Sequence, residues 1–406
     1  MVHILSADNH EEFTCTPSLV RFDFPYEGDE KAATLLIKAS THELRYIVRN
    51  ADMRLFFFRL SSSHIGYGLR VYDDPKHPYT IWSLIRKKDE TQAINELKTK
   101  AKCTIFLFNE TVASLAWAEV GIQLPKTIFE YLDEGFPLAD NFDSSSYASE
   151  ISDLFEKIQL TDKNSVTLSE IRWHETTNHF MPLGTTIPQL NIMTDNEGDF
   201  QESLGAALVG GLTLTRVEMN PFVEEDSGKR RELTDIFFHH QYGIFIVESK
   251  ALSMPLDINH PTREKLSKRT EKHLDKAIKQ LAGACKKIKS GNKIIDAKGN
   301  EIVFDRNIEI HAIALVSDLS LTTRNSNDIL AFHKKTKSIL TILDARQLFR
   351  MMQAANMIVQ RANTFMLPIM AFDYYLVERL KKICSSHDGR VDFDMVVRFD
   401  EEEPKI

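Results

Sequence analysis

The chain has 406 residues, a length that predicts two or three domains. Its net charge is −8, and 43% of its residues are hydrophobic and 27% charged, which excludes a fibrous or disordered chain. No segment approaches 18 consecutive apolar residues and the first residues lack the pattern of a signal peptide, so we expect neither a membrane partner nor secretion. The four cysteines are widely scattered, which favours reduced thiols and a cytoplasmic location over a zinc site.

Residues 1–120 are rich in short runs of β-forming residues, separated by Pro-containing and Asp-containing turns. We predict strands at 34–38, 44–48, 54–60, 67–72 and 104–108, and a helix at 90–100. The sequence therefore predicts a β-rich N-terminal domain with some helix. We find no catalytic pattern in it and expect it to recognise a target or to regulate the rest of the chain.

Residues 121–190 predict a connector that contains one helix, at 149–160, after an acidic and Ser-containing stretch at 133–149. Beyond residue 326 the chain predicts a helical C-terminal extension, with one helix at 344–359 and another starting at 371. Met351, Met352 and Met357 lie on the apolar face of the first of these helices. They favour core packing, with an oligomer interface as the alternative.

Residues 191–325 alternate helical and strand patterns. We predict a helix at 197–211, capped by Thr194, Asp195 or Asn196, and then a strand within 212–223 and an exposed loop at 224–232. Two apolar strands follow around 236–238 and 244–247, then an amphipathic helix at 271–289 and a buried strand at 308–316. The predicted fold class is mixed α/β.

Three charged residues interrupt the two central apolar runs: Asp235, Glu248 and Lys250. Burying an unpaired charge costs several kcal/mol, so three charges in apolar strands indicate a site. Side chains alternate along a strand, so Glu248 and Lys250 share a face. A two-residue loop at 241–242 or at 242–243 would place Asp235 on that face too, whereas a three-residue loop without a bulge would not.

This pattern resembles the signature of the PD-(D/E)XK nuclease superfamily, an Asp followed by Glu-x-Lys on paired strands. Thr234 stands where the family often has Pro. The order of predicted elements over roughly 130 residues is similar to its restriction-endonuclease-like αβββαβ core. The resemblance implies that two carboxylates hold Mg²⁺ or Mn²⁺, and that Lys250 assists hydrolysis of a phosphodiester.

Glu202 is the only charged residue between positions 200 and 215, on a helix that is otherwise apolar. It resembles the helix Glu of the nuclease-related branch of the superfamily. The resemblance implies that Glu202 joins Asp235 and Glu248 as a metal ligand. The alternative is an ordinary first-turn Glu that interacts with the helix dipole.

Residues 262–293 reverse the charge of the chain, with eleven basic residues against three acids. We predict that this segment contacts a nucleic-acid backbone, although a solvated helix face is the alternative. Gln280 resembles a Gln that some branches of the family place after the Lys, but it is also an ordinary surface residue. The candidate nucleic-acid-binding residues are Arg263, Lys265, Lys268, Arg269, Lys272, Lys276 and Gln280.

These features predict a Mg²⁺-dependent endonuclease that acts on nucleic acid, with double-stranded DNA as the expected partner. The overall plan is similar to Shedu-type antiphage nucleases, which implies prokaryotic defence and a homo-oligomer, either a dimer or a tetramer. DNA repair is the main alternative role. An inactive nucleic-acid-binding scaffold with a nuclease-like fold and an enzyme whose chemistry lies in the N-terminal domain are the alternative functions.

Overall fold

A computed structural model describes twelve segments of the chain: residues 3–27, 30–49, 51–72, 78–139, 147–176, 191–193, 196–212, 216–224, 228–251, 262–323, 326–361 and 367–386. The protein has the mixed α/β fold that the sequence predicts. Within these segments, no helix combines the length and apolar character needed to cross a membrane. The contacts divide the chain into two units, which we describe separately. The first unit comprises Met1–Phe180 with Asn191–Thr194 and Asp257–Thr262, and the remaining residues form the second.

The first unit is built mainly from two sheets. Its described elements are α1 (Ala7–Cys15), β1 (Leu19–Asp23), β2 (Tyr26–Glu27), β3 (Glu30–Lys31), β4 (Thr34–Lys38), α2 (Thr41–Val48), β5 (Met53–Arg59), β6 (Ile65–Val71), β7 (Tyr79–Leu84), α3 (Lys88–Lys100), β8 (Lys102–Phe108), β9 (Ser114–Gly121), α4 (Lys126–Asp133), α5 (Ala148–Lys157), β10 (Ser165–Leu168) and β11 (His174–Glu175). One sheet has the order β1-β4-β8-β9-β11 and the other β10-β5-β6-β7.

Two predictions for this unit were wrong. Residues 44–48 form the second half of α2 and not a strand. The reason is a capping box, in which Ser40 Oγ accepts from the backbone N of Glu43 at 3.2 Å and the Glu43 carboxylate accepts from the backbone N of Ser40 at 3.0 Å.

The described parts of residues 121–190 also do not form a connector. Strand β10 pairs with β5, and α5 packs its Phe155 against Phe56 and Phe58 at ring-centroid distances of 5.6 and 5.5 Å. These residues therefore complete the first unit. The middle of the acidic stretch, at 140–146, and the end of the predicted connector, at 177–190, lie outside the described residues.

The second unit carries the candidate site. Its described elements are α6 (Glu197–Gly210), β12 (Glu218–Met219), β13 (Phe222–Glu224), β14 (Arg230–Glu232), β15 (Ile236–His239), β16 (Gly243–Lys250), α7 (Arg263–Lys289), β17 (Lys293–Ile295), β18 (Glu309–Val316), a 3₁₀ turn (Leu319–Leu321), α8 (Ser326–Thr336), β19 (Ile339–Asp344), α9 (Ala345–Arg361) and α10 (Pro368–Ser386). Its main sheet has the order β12-β15-β16-β18-β19. The β12–β15 and β15–β16 pairs are antiparallel, and the β16–β18 and β18–β19 pairs are parallel. A smaller sheet joins β14, β13 and β17.

Helices α6 and α7 cover opposite faces of this main sheet. The buried side of α7, including Leu274 and Leu281, shares a core cluster with Ile244 and Ile246 of β16. Helix α6 packs on the other face of the sheet, where Gly205 lies against Leu315 and Ile236. A Cβ there would lie 3.0 Å from Leu315 and 3.2 Å from Ile236, so a larger residue would force these two side chains to shift.

The C-terminal extension is not purely helical, because Ile339–Asp344 adds the strand β19 to the sheet. A short apolar run of this length is compatible with either a buried parallel strand or a buried helix, and tertiary pairing decides. Helices α9 and α10 follow as predicted. Met351 and Met352 are buried in the core, whereas Met357 is 40% exposed, so only Met357 remains available for an oligomer interface.

Candidate active site

The β15–β16 hairpin places the three charged residues as strand parity requires. Phe238 pairs with Phe245, and the last pair before the turn is His239 with Ile244. The backbone N of His240 also donates to the carbonyl of Gly243 at 2.9 Å. The loop is therefore the two-residue alternative at 241–242, and the prediction of an even loop is confirmed. Continuing this register beyond the strand end places Asp235 opposite Glu248.

Lys250 joins the two carboxylates directly. Its ammonium Nζ lies 2.8 Å from Glu248 Oε2 and 3.4 Å from Asp235 Oδ2. Burial opposes the charged ammonium, but the hydrogen bond that Lys250 donates to Glu248 and the charge of Asp235 outweigh it and raise the pKa of Lys250. The ammonium is therefore held as a fixed positive charge between two acidic side chains.

Backbone hydrogen bonds fix the Asp235 end of the site. The backbone N of Ser249 donates to Asp235 Oδ2 at 2.5 Å, and the Thr234 hydroxyl donates to the carbonyl of Val247 at 2.7 Å. The hydroxyl of Thr234 thus ties the segment just before β15 to β16. Asp235 is 5% exposed and Glu248 is 1% exposed, so both carboxyl groups are rigidly placed at the margin of the core.

Two further carboxyl groups extend the site. The pKa of Glu202 on α6 rises to about 7, first because the group is desolvated and then because it feels the negative charge of Asp235. Desolvation, followed by the charge of Asp235 and a hydrogen bond between the two carboxyl groups, raises the pKa of Glu232 as well. The pKa of Glu248 also rises to about 7, because of burial and then because of the charge of Asp235.

The site therefore holds an excess of acidic groups. Four carboxyl groups, those of Glu202, Glu232, Asp235 and Glu248, interact with Lys250, and three of them have raised pKa values. A raised pKa in a carboxyl group means that its negative charge is incompletely compensated. A hard divalent cation with oxygen ligands is the charge and ligand type that this donor set fits. In the described segments, however, no three His, Cys, Asp or Glu side chains are already grouped closely enough to hold a metal.

Helix α7 begins at Arg263, eight residues earlier than predicted, and spans 27 residues, or about 40 Å. The candidate nucleic-acid-binding residues of the sequence analysis, from Arg263 to Lys276, and Gln280 all lie on its exposed surface. Lys268 also pairs with Glu264 at 2.6 Å. The exposed cations follow one long face of the helix, whose opposite, apolar face packs on the sheet.

Two residues beside the site, Glu232 and His273, were not predicted from the sequence. Glu232 belongs to a predicted exposed loop, and no strand pattern linked it to Asp235. His273 Nδ1 lies 3.1 Å from the carbonyl oxygen of Ala251, the residue that follows Lys250. His239 shares the Asp235 face of β15, but its ring packs on Phe304 at 5.6 Å.

Comparison of the chain with protein-family models, curated proteins and solved structures gave no match.

Proposed function

We propose that this protein is a Mg²⁺- or Mn²⁺-dependent nuclease that hydrolyses phosphodiester bonds, with double-stranded DNA as its substrate. The observation that carries the proposal is the convergence of Asp235, Glu248 and Lys250 on one buried face, surrounded by further acids. The element order supports the proposal in part: if only the strands of the main sheet are counted, α6, β12, β15, β16, α7 and β18 follow one another in the αβββαβ order that the resemblance implies, whereas β13, β14 and β17 form a separate sheet. The exposed cations of α7 supply a surface for the phosphate backbone.

Each residue of the site has a chemical task in this proposal. Asp235, Glu248 and Glu202 would hold the divalent cation, which when bound lowers the pKa of water and offsets charge on the phosphate. Glu248 and Asp235 also orient the Lys250 ammonium, which donates hydrogen bonds to the negative charge that develops on the phosphate during hydrolysis. The backbone N of Ser249 keeps the Asp235 carboxylate in place. The buried setting strengthens these interactions.

The biological role that we propose is cytoplasmic antiphage defence by a homo-oligomer. This part of the proposal rests on the resemblance in overall plan between the chain and Shedu-type nucleases. The β-rich first unit would then recognise the target or control the nuclease. DNA repair remains the alternative role. A comparison of the rates at which phage DNA and damaged DNA are cleaved would distinguish the two roles.

The experiment that tests the nuclease proposal is a substrate panel. Purified protein is incubated with linear, circular and single-stranded DNA and with RNA, in Mg²⁺, Mn²⁺ or EDTA. We expect cleavage of duplex DNA that depends on the metal ion. Cleavage of RNA alone would contradict the choice of substrate. The absence of any metal-dependent cleavage across the panel would contradict the proposed activity.

A nucleic-acid-binding scaffold without turnover is the second candidate. The direct ion pairs of Lys250 with Glu248 and Asp235 favour it, because they already compensate part of the acidic charge. Titration with Mn²⁺, followed by calorimetry, separates the candidates. If the protein is a nuclease, it binds Mn²⁺ and Glu248→Gln weakens that binding. If it is a scaffold, it binds DNA, and Mn²⁺ binding does not depend on the carboxylates of the site.

A further inference from the structure

His273 links the basic helix to the strand that carries Lys250. Its Nδ1 lies 3.1 Å from the carbonyl oxygen of Ala251, directly after the last residue of β16. A carbonyl oxygen only accepts hydrogen bonds, so Nδ1 carries the proton and donates it. This bond fixes the orientation of the ring and leaves Nε2 as its second polar atom. Within the described segments, the ring makes no other hydrogen bond.

The ring lies on the same side of the sheet as Glu248 and Lys250. Helix α7 packs on the face of β16 that carries Ile244 and Ile246. Because side chains alternate along a strand, Glu248 and Lys250 extend that same face toward the end of β16. His273 meets the strand there, one residue beyond Lys250.

The charges of α7 are arranged unevenly around His273. Arg269 and Lys276 lie four residues before it and three residues after it, so the three side chains line one edge of the helix. The acidic residue Glu271 lies on the other edge, where its carboxylate accepts from the backbone N and the hydroxyl of Thr323. The edge that meets the active strand is therefore the cationic one.

We propose that His273 is a substrate-contacting residue that binds a phosphodiester flanking the one that is cleaved. In the complex, its doubly protonated ring donates from Nδ1 to the carbonyl of Ala251 and from Nε2 to a non-bridging phosphate oxygen. Arg269 and Lys276 contact the phosphates on either side. This inference rests on the proposed nuclease function and extends it, because it gives the nucleic-acid backbone a defined path from Lys250 onto α7.

Binding of a fluorescent DNA duplex in EDTA tests the contact without relying on cleavage. We expect His273→Ala to weaken binding by at least about tenfold, as the loss of one charge-assisted hydrogen bond predicts. The matched control is His333→Ala on α8, because His333 Nδ1 makes the same kind of bond, at 3.2 Å, to the carbonyl of Ser338. We expect that variant to bind like the unmodified protein.

Two conservative variants separate substrate contact from a purely structural role. His273→Gln keeps a donor for the carbonyl of Ala251 but carries no charge, so we expect it to bind as weakly as His273→Ala. His273→Arg keeps the positive charge, and we expect affinity within about twofold of the unmodified protein. Restoration of affinity by Gln, or equal binding by the two Ala variants, would overturn the assignment of His273.

Steady-state cleavage in Mg²⁺ provides the second measurement. We expect His273→Ala to raise KM while changing kcat by less than about twofold, because a flanking contact acts on binding of the ground state. Cleavage by the unmodified protein together with an unchanged KM in His273→Ala would contradict this inference alone. Failure of the unmodified protein to bind or cleave nucleic acid would instead contradict the proposed function, and the His273 contact with it.

Discussion

Replacing Glu248 by Gln should stabilise the metal-free protein at alkaline pH. Removing one partner of a buried ion pair ordinarily destabilises a protein by about 3–5 kcal/mol, because the other charge is left unpaired. Here Lys250 keeps its second partner, Asp235, at 3.4 Å. The substitution also removes a negative charge from a site with too many of them. Loss of the ion pair would lower the free energy of unfolding, and removal of the negative charge would raise it. We expect the second effect to be larger, because the site holds more carboxyl groups than Lys250 compensates.

The pKa of Glu248 gives the size of the effect. A rise from the ordinary value of 4.5 to about 7 corresponds to ~3 kcal/mol of unfavourable free energy once the group is ionised in the folded protein. Because the folded-state pKa is the higher one, the cost is absent below pH 4.5 and fully present above about pH 7. Stability of the second unit should therefore fall across this range, and Glu248→Gln should remove much of that fall.

Calorimetry in EDTA at pH 5 and pH 8 measures this difference. For a unit of this size, ~3 kcal/mol corresponds to an increase in Tm of about 6–10 °C at pH 8, shrinking toward zero at pH 5. The three tryptophans, Trp82, Trp117 and Trp173, all belong to the first unit. Tryptophan fluorescence therefore follows that unit and provides an internal reference that the substitution should not change.

A lower Tm for Glu248→Gln than for the unmodified protein at pH 8 would refute the reasoning. It would mean that the ion pair of Glu248 with Lys250 outweighs the repulsion among the carboxyl groups. An equal gain at pH 5 and pH 8 would also refute it, because a gain that does not depend on pH does not come from ionisation of Glu248.

Two further predictions concern the metal ion and the basic helix. Millimolar Mg²⁺ should raise the Tm of the unmodified protein at pH 8 and much less at pH 5, where protons occupy the carboxyl groups of the site; an equal effect at both pH values would contradict binding at these groups. The double variant Lys272→Glu and Lys276→Glu should weaken duplex binding at least about tenfold and reduce the slope of log affinity against log salt by about two. The control pair Lys334→Glu and Lys335→Glu on the exposed surface of α8 should leave that slope unchanged. An equal loss of duplex affinity in the control would contradict a specific role for α7, because it would mean that only the overall charge matters.

Strand parity was the part of the site that the sequence could predict. The period of two along a strand depends only on local backbone geometry, so the shared face of Glu248 and Lys250 followed directly. The position of Asp235 depended on the loop length, and the sequence left two even alternatives. The register of β15 and β16 selects the loop at 241–242.

The missed features depend on contacts between residues far apart in sequence or on local caps that compete with a strand pattern. Strand β19 is a short apolar run whose conformation is decided by pairing with β18. The apolar run at 44–48 joins a helix because Ser40 and Glu43 cap it. His273 shows no periodic signal of its own, and only the folded chain brings it to Ala251, 22 residues away. Glu232 is an exception, because it lies only three residues before Asp235 but outside the strand pattern that marks the site.

The cleavage rate of Lys250→Ala tests the central claim most directly. The control is Lys381→Ala, which removes an exposed lysine paired with Glu378 at 2.6 Å in the same unit. With duplex DNA and Mg²⁺, we predict that Lys250→Ala loses on the order of a hundred- to thousandfold in kcat, while far-UV circular dichroism and the cleavage rate of the control stay unchanged. Cleavage by Lys250→Ala at the rate of the control would contradict the assignment of this site.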